Sequence, residues 1–190
     1  VRDVKDAETV QSVSMRALDS AGDWETLTIN ISDNVQTKKI NQLELVDGKW
    51  PVQARDIVID QYKFHEFGVE IGDEISIELS NRTIRRMKVV GVVKDQTIGS
   101  SGAAGGFFMA GAQGYVNSVA LGWLNLHDTP NMLYITARER GSNEDDLRSL
   151  GDKVRQVLEE NGGRVVSQSV RSTYDHPNST YTDAVASILF

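Results

Sequence analysis

The sequence predicts an α+β protein, a discontinuous α/β sandwich with a split βαβ pattern into which a small antiparallel β module is inserted. Three observations predict it. Short segments in the first half of the chain alternate apolar and polar residues with period two, the pattern of half-buried strands. One long segment, 142–163, repeats its apolar residues with helical period instead. That segment lies between two β-like runs joined to it by short links, and such a strand–helix–strand unit is right-handed by default. The chain has 190 residues, with 39% hydrophobic and 25% charged, an ordinary globular composition. That length suffices for one large domain or two small interleaved ones.

The elements follow in order. In "SVSMRAL" (12–18) Val13, Met15 and Ala17 share one face. In "TLTINIS" (26–32) Leu27, Ile29 and Ile31 alternate with Thr26, Thr28 and Asn30. "DSAGD" between them supplies a turn, so the two form a hairpin. "DIVID" (56–60), "EISIEL" (74–79) and "TIRRMKVVGVVKD" (83–95) are short, β-like and separated by "DGKWP", "GVEIGD" and "SNRT", as in a small sheet or barrel. "YKFHEFGV" (62–69) is one short helical turn ending at Gly68. "TIGSSGAAGGFFMAGAQG" (97–114) holds six glycines and almost no charge. Its backbone is costly to order, and it reads as a long loop with Phe107, Phe108 and Met109 at its tip. "YVNSVALGWLNL" (115–126) re-enters as a strand edge and short helix.

The last third begins with a strand at 131–139. The helix over 142–163 places Leu147, Leu150, Val154, Val157 and Leu158 on one face. Ser142 or Asn143 caps its start, acids fill its first turn, and Gly162 and Gly163 close it. "RVVSQSV" (164–170) reads as the following strand. Residues 1–33 with 128–172 are thus expected to form the α/β unit, and 34–127 the inserted β-rich module.

Few chemistries survive inspection. The net charge is −7 and no strongly basic stretch exists, which argues against nucleic acid as a partner. Without cysteine there are no disulfides and no thiolate metal sites. No stretch reaches the roughly 20 apolar residues that span a bilayer, and the N-terminus lacks the apolar core of a signal peptide. His65, His127 and His176 have no metal-ligand spacing, and no Gly-x-Ser-x-Gly elbow occurs. Asp56, Asp60, Asp73 and Glu74 are candidate paired carboxylates, but they flank strands and tight turns, where Asp bonds its own backbone. The glycine-rich loop has neither Gly-Lys-Ser/Thr nor GxGxxG, and no Lys or Arg lies between Gly99 and Trp123, so a phosphate cradle is not indicated. No catalytic residue, metal or cofactor is expected. Phe107, Phe108 and Met109 either contact an apolar partner or substrate or fold back onto the β module. Trp24, Trp50 and Trp123 are either binding platforms or plugs of the core.

One resemblance is carried by specific pieces in order. "DGKWP" (47–51), "DIVIDQYKFHEFGVEIGDEISI" (56–77), "RRMKVVGVVKD" (85–95) and "GYVNSVALGWL" (114–124) together resemble the extracytoplasmic, MacB-like core domain of FtsX/MacB-family ABC transporter permeases. The likeness covers about residues 10–172 and is strongest over 43–95. The 97–114 loop has no counterpart in it. The resemblance implies a porter-like α/β subdomain. It also implies a non-catalytic role that couples ATP-driven membrane motions to a substrate or partner protein on the outer side. The partners implied are a cytoplasmic ATPase subunit or domain, a second permease copy, and an extracytoplasmic protein or a lipid-like or peptide substrate. The full-length protein would sit in the cell membrane with this domain outside. Residues 173–190 would be a connector whose "AVASILF" begins a transmembrane helix. Two other readings stand beside it: a small secreted α+β hydrolase using Asp56 or Asp73 with His65, or a free-standing surface binding module.

Overall fold

Alternation of apolar residues along strands dictates which faces meet, and here it closes a barrel. A computed structural model describes residues 1–95, 111–138 and 143–170. Strands β1 (Val4–Leu18) and β2 (Trp24–Ser32) form the expected hairpin, with Met15 opposite Leu27 and Val13 opposite Ile29. From there the pairing runs β2 to β7 (Ala112–Asn117), β7 to β4 (Asp56–Asp60), β4 to β6 (Ile84–Asp95) and β6 to β5 (Glu74–Glu78). Strand β5 then pairs with the end of β1, Ala17 opposite Ile77, so the cycle is complete. A closed cycle leaves no strand edge inside it open to another chain. The class is the expected α+β. The sheet is mixed where antiparallel neighbours were expected throughout the module: β2–β7 and β4–β6 are parallel, the other pairs antiparallel.

The residues that alternate inward fill this barrel. Leu27, Ile29, Ile57, Ile59, Ile75, Ile77, Met87 and Val89 are buried in one cluster with Phe67. Each such side chain contributes about 1.5–3 kcal/mol relative to leaving it in water. Phe67 comes from α1 (Gln61–Phe67), which Asp60 caps at its start and Gly68 ends at φ 63°, a left-handed conformation that suits glycine.

A second cluster covers the outside of β4, β6 and β7. Val58, Val90, Val93 and Tyr115 are buried there under Val35, Leu43, Leu45 and Trp50. The cover is the crossover after β2: a 3₁₀ turn at Val35–Thr37, then β3 (Leu43–Gly48), which pairs with the end of β6. Strand β3 is a finding the sequence did not announce, where "DGKWP" reads as a separator and no strand is expected before it. Its contact with β6 is close: a Cβ on Gly91 would lie 2.7 Å from the Lys49 carbonyl oxygen and 2.8 Å from that of Asp47.

Strand β1 is longer than its alternating core. Its first half, Val4–Val10, pairs antiparallel with β8 (Met132–Ala137), and its second half, from Gln11, pairs with β2. Residues 12–32, which the sequence groups with the outer sandwich, are therefore hydrogen-bonded into the barrel. Just before β8 begins, the Asn131 side chain replaces a strand neighbour. Its Oδ1 accepts from the Ser12 N–H and its Nδ2 donates to the Ser12 carbonyl, both at 2.8 Å.

Helix α2 (Glu144–Glu160) forms as expected: Asn143 Oδ1 accepts from the Asp146 N–H, and three acids occupy the first turn at the positive end of the helix dipole. Leu150 is buried, Leu147 and Val154 are half-buried, and Val157 and Leu158 are exposed. Residues 164–170, expected as a strand, join no ladder among the described residues. They lie along α2 instead, where Gln168 Nε2 donates to the Arg148 carbonyl at 3.4 Å. None of the described helices is long and apolar enough to cross a membrane.

The Gly91 contact gives a direct test. Gly91→Ala forces two backbone oxygens apart and is expected to cost about 1–3 kcal/mol in urea unfolding. Gly122→Ala, where a Cβ meets nothing within 4 Å, is the matched control and is expected to be neutral or slightly stabilising. Equal effects of the two would contradict the close crossing of β3 and β6.

Candidate functional site

Phe107, Phe108 and Met109 lie outside the described residues, as do His176 and residues 173–190. The two strands that flank the 96–110 segment are described, and their ends carry a buried polar cluster. Strand β4 ends at Asp60, whose carboxylate is fully used. Oδ1 accepts from the Tyr62 N–H at 2.9 Å, capping α1, and Oδ2 accepts from the Asp95 N–H at 3.0 Å. Asp95 ends β6, and its Oδ2 accepts from the Tyr115 hydroxyl of β7 at 2.6 Å. All three side chains are buried: Asp60 is 1% exposed, Asp95 8% and Tyr115 4%. Three adjacent strands are thus tied together at the base of the segment.

Electrostatics follow from that burial. Desolvation pushes the Asp60 carboxyl above the usual aspartate range; its two backbone N–H donors oppose this, and the Asp95 charge adds to it. The Tyr115 hydroxyl is pushed up as well, first by burial and then by the Asp95 carboxylate it bonds. Lys38, at the end of the 3₁₀ turn, is pushed down by burial while Asp95 and Glu8 favour its charged form. Glu8 belongs to the first half of β1, and its carboxylate accepts from the backbone N–H groups of Lys39 and Ile40. The crossover at 38–40 therefore connects the end of β6 to the part of β1 that pairs with β8.

The other sequence candidates are dispersed. Asp56 Oδ2 accepts from the N–H groups of Val52 and Gln53 at 3.1 and 3.0 Å and closes the turn before β4. Asp73 Oδ2 accepts from the Glu70 N–H at 2.9 Å in another turn. His65 is exposed on α1, beyond the far end of β4 from Asp56. Among the described residues neither carboxylate is hydrogen-bonded to His65, so the constellation a hydrolase needs is not assembled there. Glu74 is exposed and lies 3.6 Å from Arg86 Nη1. His127 is exposed, and its carbonyl accepts from Thr129 Oγ1 at 3.4 Å. Trp50 packs on the second cluster, Trp24 lies under Arg16, and Trp123 lies against two arginines. Asp60 was legible as a candidate, but its partners Asp95, Tyr115 and Lys38 were not. The available signal was a charge ending an otherwise apolar strand, at Asp95.

Two expectations follow for the cluster. Tyr115→Phe leaves Asp95 Oδ2 without its hydroxyl donor and is expected to cost about 1–3 kcal/mol in thermal or urea unfolding. Asp60 titrates higher folded than unfolded, so folding favours its protonated form. Its contribution to stability is most favourable below pH 3.8, the ordinary aspartate value, and falls as pH rises from there through the folded value. The stability of the wild type relative to Asp60→Asn is therefore expected to decline as pH rises above 3.8. A flat or rising difference contradicts the buried, desolvated carboxyl.

No protein-family model and no curated protein matches the chain. Solved structures do. The chain is similar to the extracellular domain of the noncanonic ABC-type transporter YknZ from Gram-positive bacteria, with 16% identity over 90% of this chain and 83% of that one, at a TM-score of 0.55. It is also similar to the periplasmic region of MacB from Actinobacillus actinomycetemcomitans, with 15% identity over 83% and 69% of the two chains and a TM-score of 0.48. A domain of a permease protein from Porphyromonas gingivalis shares 13% identity over 82% and 70%, with a TM-score of 0.49. At such identities the likeness is one of fold. The chain has the fold of the extracellular domain of YknZ over nine-tenths of its length, and this is the fold that the motifs of residues 43–95 implied.

Proposed function

We propose that the chain is a non-catalytic extracytoplasmic domain of an ABC transporter permease, one that passes ATP-driven motions of membrane helices to a substrate or partner protein on the outer side. The observation that supports this best is the fold shared with the YknZ extracellular domain over 90% of the chain. The ordered motifs between residues 43 and 95 point the same way.

The architecture suits transmission of movement. A closed barrel with an interior of branched aliphatic side chains deforms little, because packed cores are stiff. The strand β1 runs from the β8 ribbon into that barrel without a break, so displacement of one end carries the other, as in rigid-body domain motion. In this reading the ATPase subunit or domain lies on the cytoplasmic side and does not touch this domain. A second permease copy stands beside the first, and Phe107, Phe108 and Met109 contact the partner or substrate. The full-length protein sits in the cell membrane.

The absence of cysteine from the chain makes location easy to test. Ser80 is exposed in the turn after β5. In the full-length protein with Ser80→Cys as the one thiol of this domain, a membrane-impermeant maleimide is expected to label it in intact cells once any outer membrane is permeabilised. Labelling that requires lysis of the inner membrane places the domain in the cytoplasm and overturns the proposal. Calorimetry of the chain with Mg·ATP is expected to show no saturable heat, and micromolar affinity would contradict a domain that leaves nucleotide to a separate ATPase.

A further inference from the structure

The end of the barrel where β4 begins and β7 finishes carries a feature that transmission of movement does not use. The guanidinium carbons of Arg55 and Arg85 lie 3.9 and 4.7 Å from the ring centroid of Trp123. The indole is fixed in place, its Nε1–H donating to the Arg86 carbonyl at 3.1 Å. Cation–π contact at such distances holds guanidinium groups without consuming their hydrogen-bond donors. Those donors are unspent among the described residues. Among the described residues no carboxylate forms an ion pair with Arg55 or Arg85, and the Arg85 Nε–H is buried without an acceptor. Two like charges against one ring repel each other, and an anion accepting from their donors would relieve that.

Exposed apolar residues lie close in sequence to Arg55 and to Trp123. Val52, on the loop that leads to Arg55, is 72% exposed, and Val119, on the turn that leads to Trp123, is 54% exposed. The two loops are fastened to each other by Asn117 Nδ2, which donates to the Pro51 carbonyl at 2.7 Å. Tryptophan and arginine are the residue types enriched in binding hot spots.

We propose that Arg55, Arg85, Trp123, Val52 and Val119 form a docking site for an acidic, apolar peptide segment of a partner protein. Carboxylates of that segment accept from the two guanidinium groups, and its aliphatic side chains cover the two valines. Planar guanidinium matches planar carboxylate through paired hydrogen bonds. The chain's net charge of −7 disfavours an extended polyanion such as an anionic membrane face, while leaving room for one or two carboxylates held locally. The site includes none of residues 96–110 and does not rest on the transporter reading.

The test uses the 190-residue chain and a fluorescein-labelled pentapeptide alternating leucine and glutamate, followed by anisotropy. Saturable binding that weakens as salt rises is expected, since charge pairs at a surface are screened. Affinity is expected to drop about tenfold or more when glutamine replaces glutamate in the peptide, and likewise in Arg55→Gln with Arg85→Gln. Arg55 is exposed, so Arg55→Gln alone serves if the double variant does not fold, and the glutamine peptide needs no variant at all. The proposal is overturned by the absence of saturable binding, by equal affinity for the two peptides, or by undiminished affinity in Arg55→Gln. Binding to phosphatidylglycerol vesicles without binding to the peptide would assign the site to a membrane surface and overturn it too.

Discussion

The continuity of β1 is the constraint on which the rest of the molecule depends. Its residues from Val4 to Leu18 form one strand that serves two neighbourhoods, β8 along its first half and β2 with β5 along its second. The handover falls between Val10, opposite Met132, and Gln11, opposite Ile31. At such a point a strand usually loses partners, and buried unpaired backbone groups are costly. Two side chains prevent that. Asn131 serves both backbone groups of Ser12, and the buried Gln11 accepts through Oε1 from the Thr129 N–H at 3.1 Å. The junction is thereby held by hydrogen bonds on either side, without a free hinge residue.

A second tie reinforces the first. The crossover between β2 and β3 passes over the outside of the barrel. On the way Val35 N–H donates to Asn117 Oδ1 at 2.9 Å, and the backbone of residues 39 and 40 donates to Glu8. Beneath it lie Asp60, Asp95 and Tyr115. Burying two carboxylates is unfavourable unless donors surround them. Here the donors are the caps and ends of the strands themselves, so the acids fix where β4 and β6 stop and hold β7 beside them at Tyr115. The same arrangement ties together β6 at Asp95 and β7 at Tyr115, the two strands that flank residues 96–110 in the sequence.

How much of this was legible in the sequence depended on distance along the chain. The hairpin was legible because Leu27, Ile29 and Ile31 alternate within seven residues and all three are buried. "DIVID" was legible as a strand because it is apolar on both faces, and both faces are indeed covered. Helix α2 announced itself through its cap, its acids and its period. The extension of β1 back to Val4 was hidden because Asp6 and Glu8 occupy inward-alternating positions, where they serve the crossover rather than the core. Barrel closure was not legible either, since β2 meets β7 some 85 positions later and periodicity carries no information about partners. The 164–170 run shows the opposite error: valine-rich segments favour strands only where a neighbour exists to pair with. The Trp123 site was half visible. The ring was noted as a possible platform, but Arg55 and Arg85 reach it only through the fold.

Native-state hydrogen exchange at the handover tests the central claim most directly. If β1 is mechanically one strand, the amides of Val10, Ser12 and Val13 exchange only in the opening that also exposes Leu27 and Ile29, with one shared free energy. Exchange of Val10 and Ser12 in a separate, lower-energy opening, while Leu27 and Ile29 stay protected, would show a hinge between Val10 and Gln11 and would contradict a domain that moves as one piece.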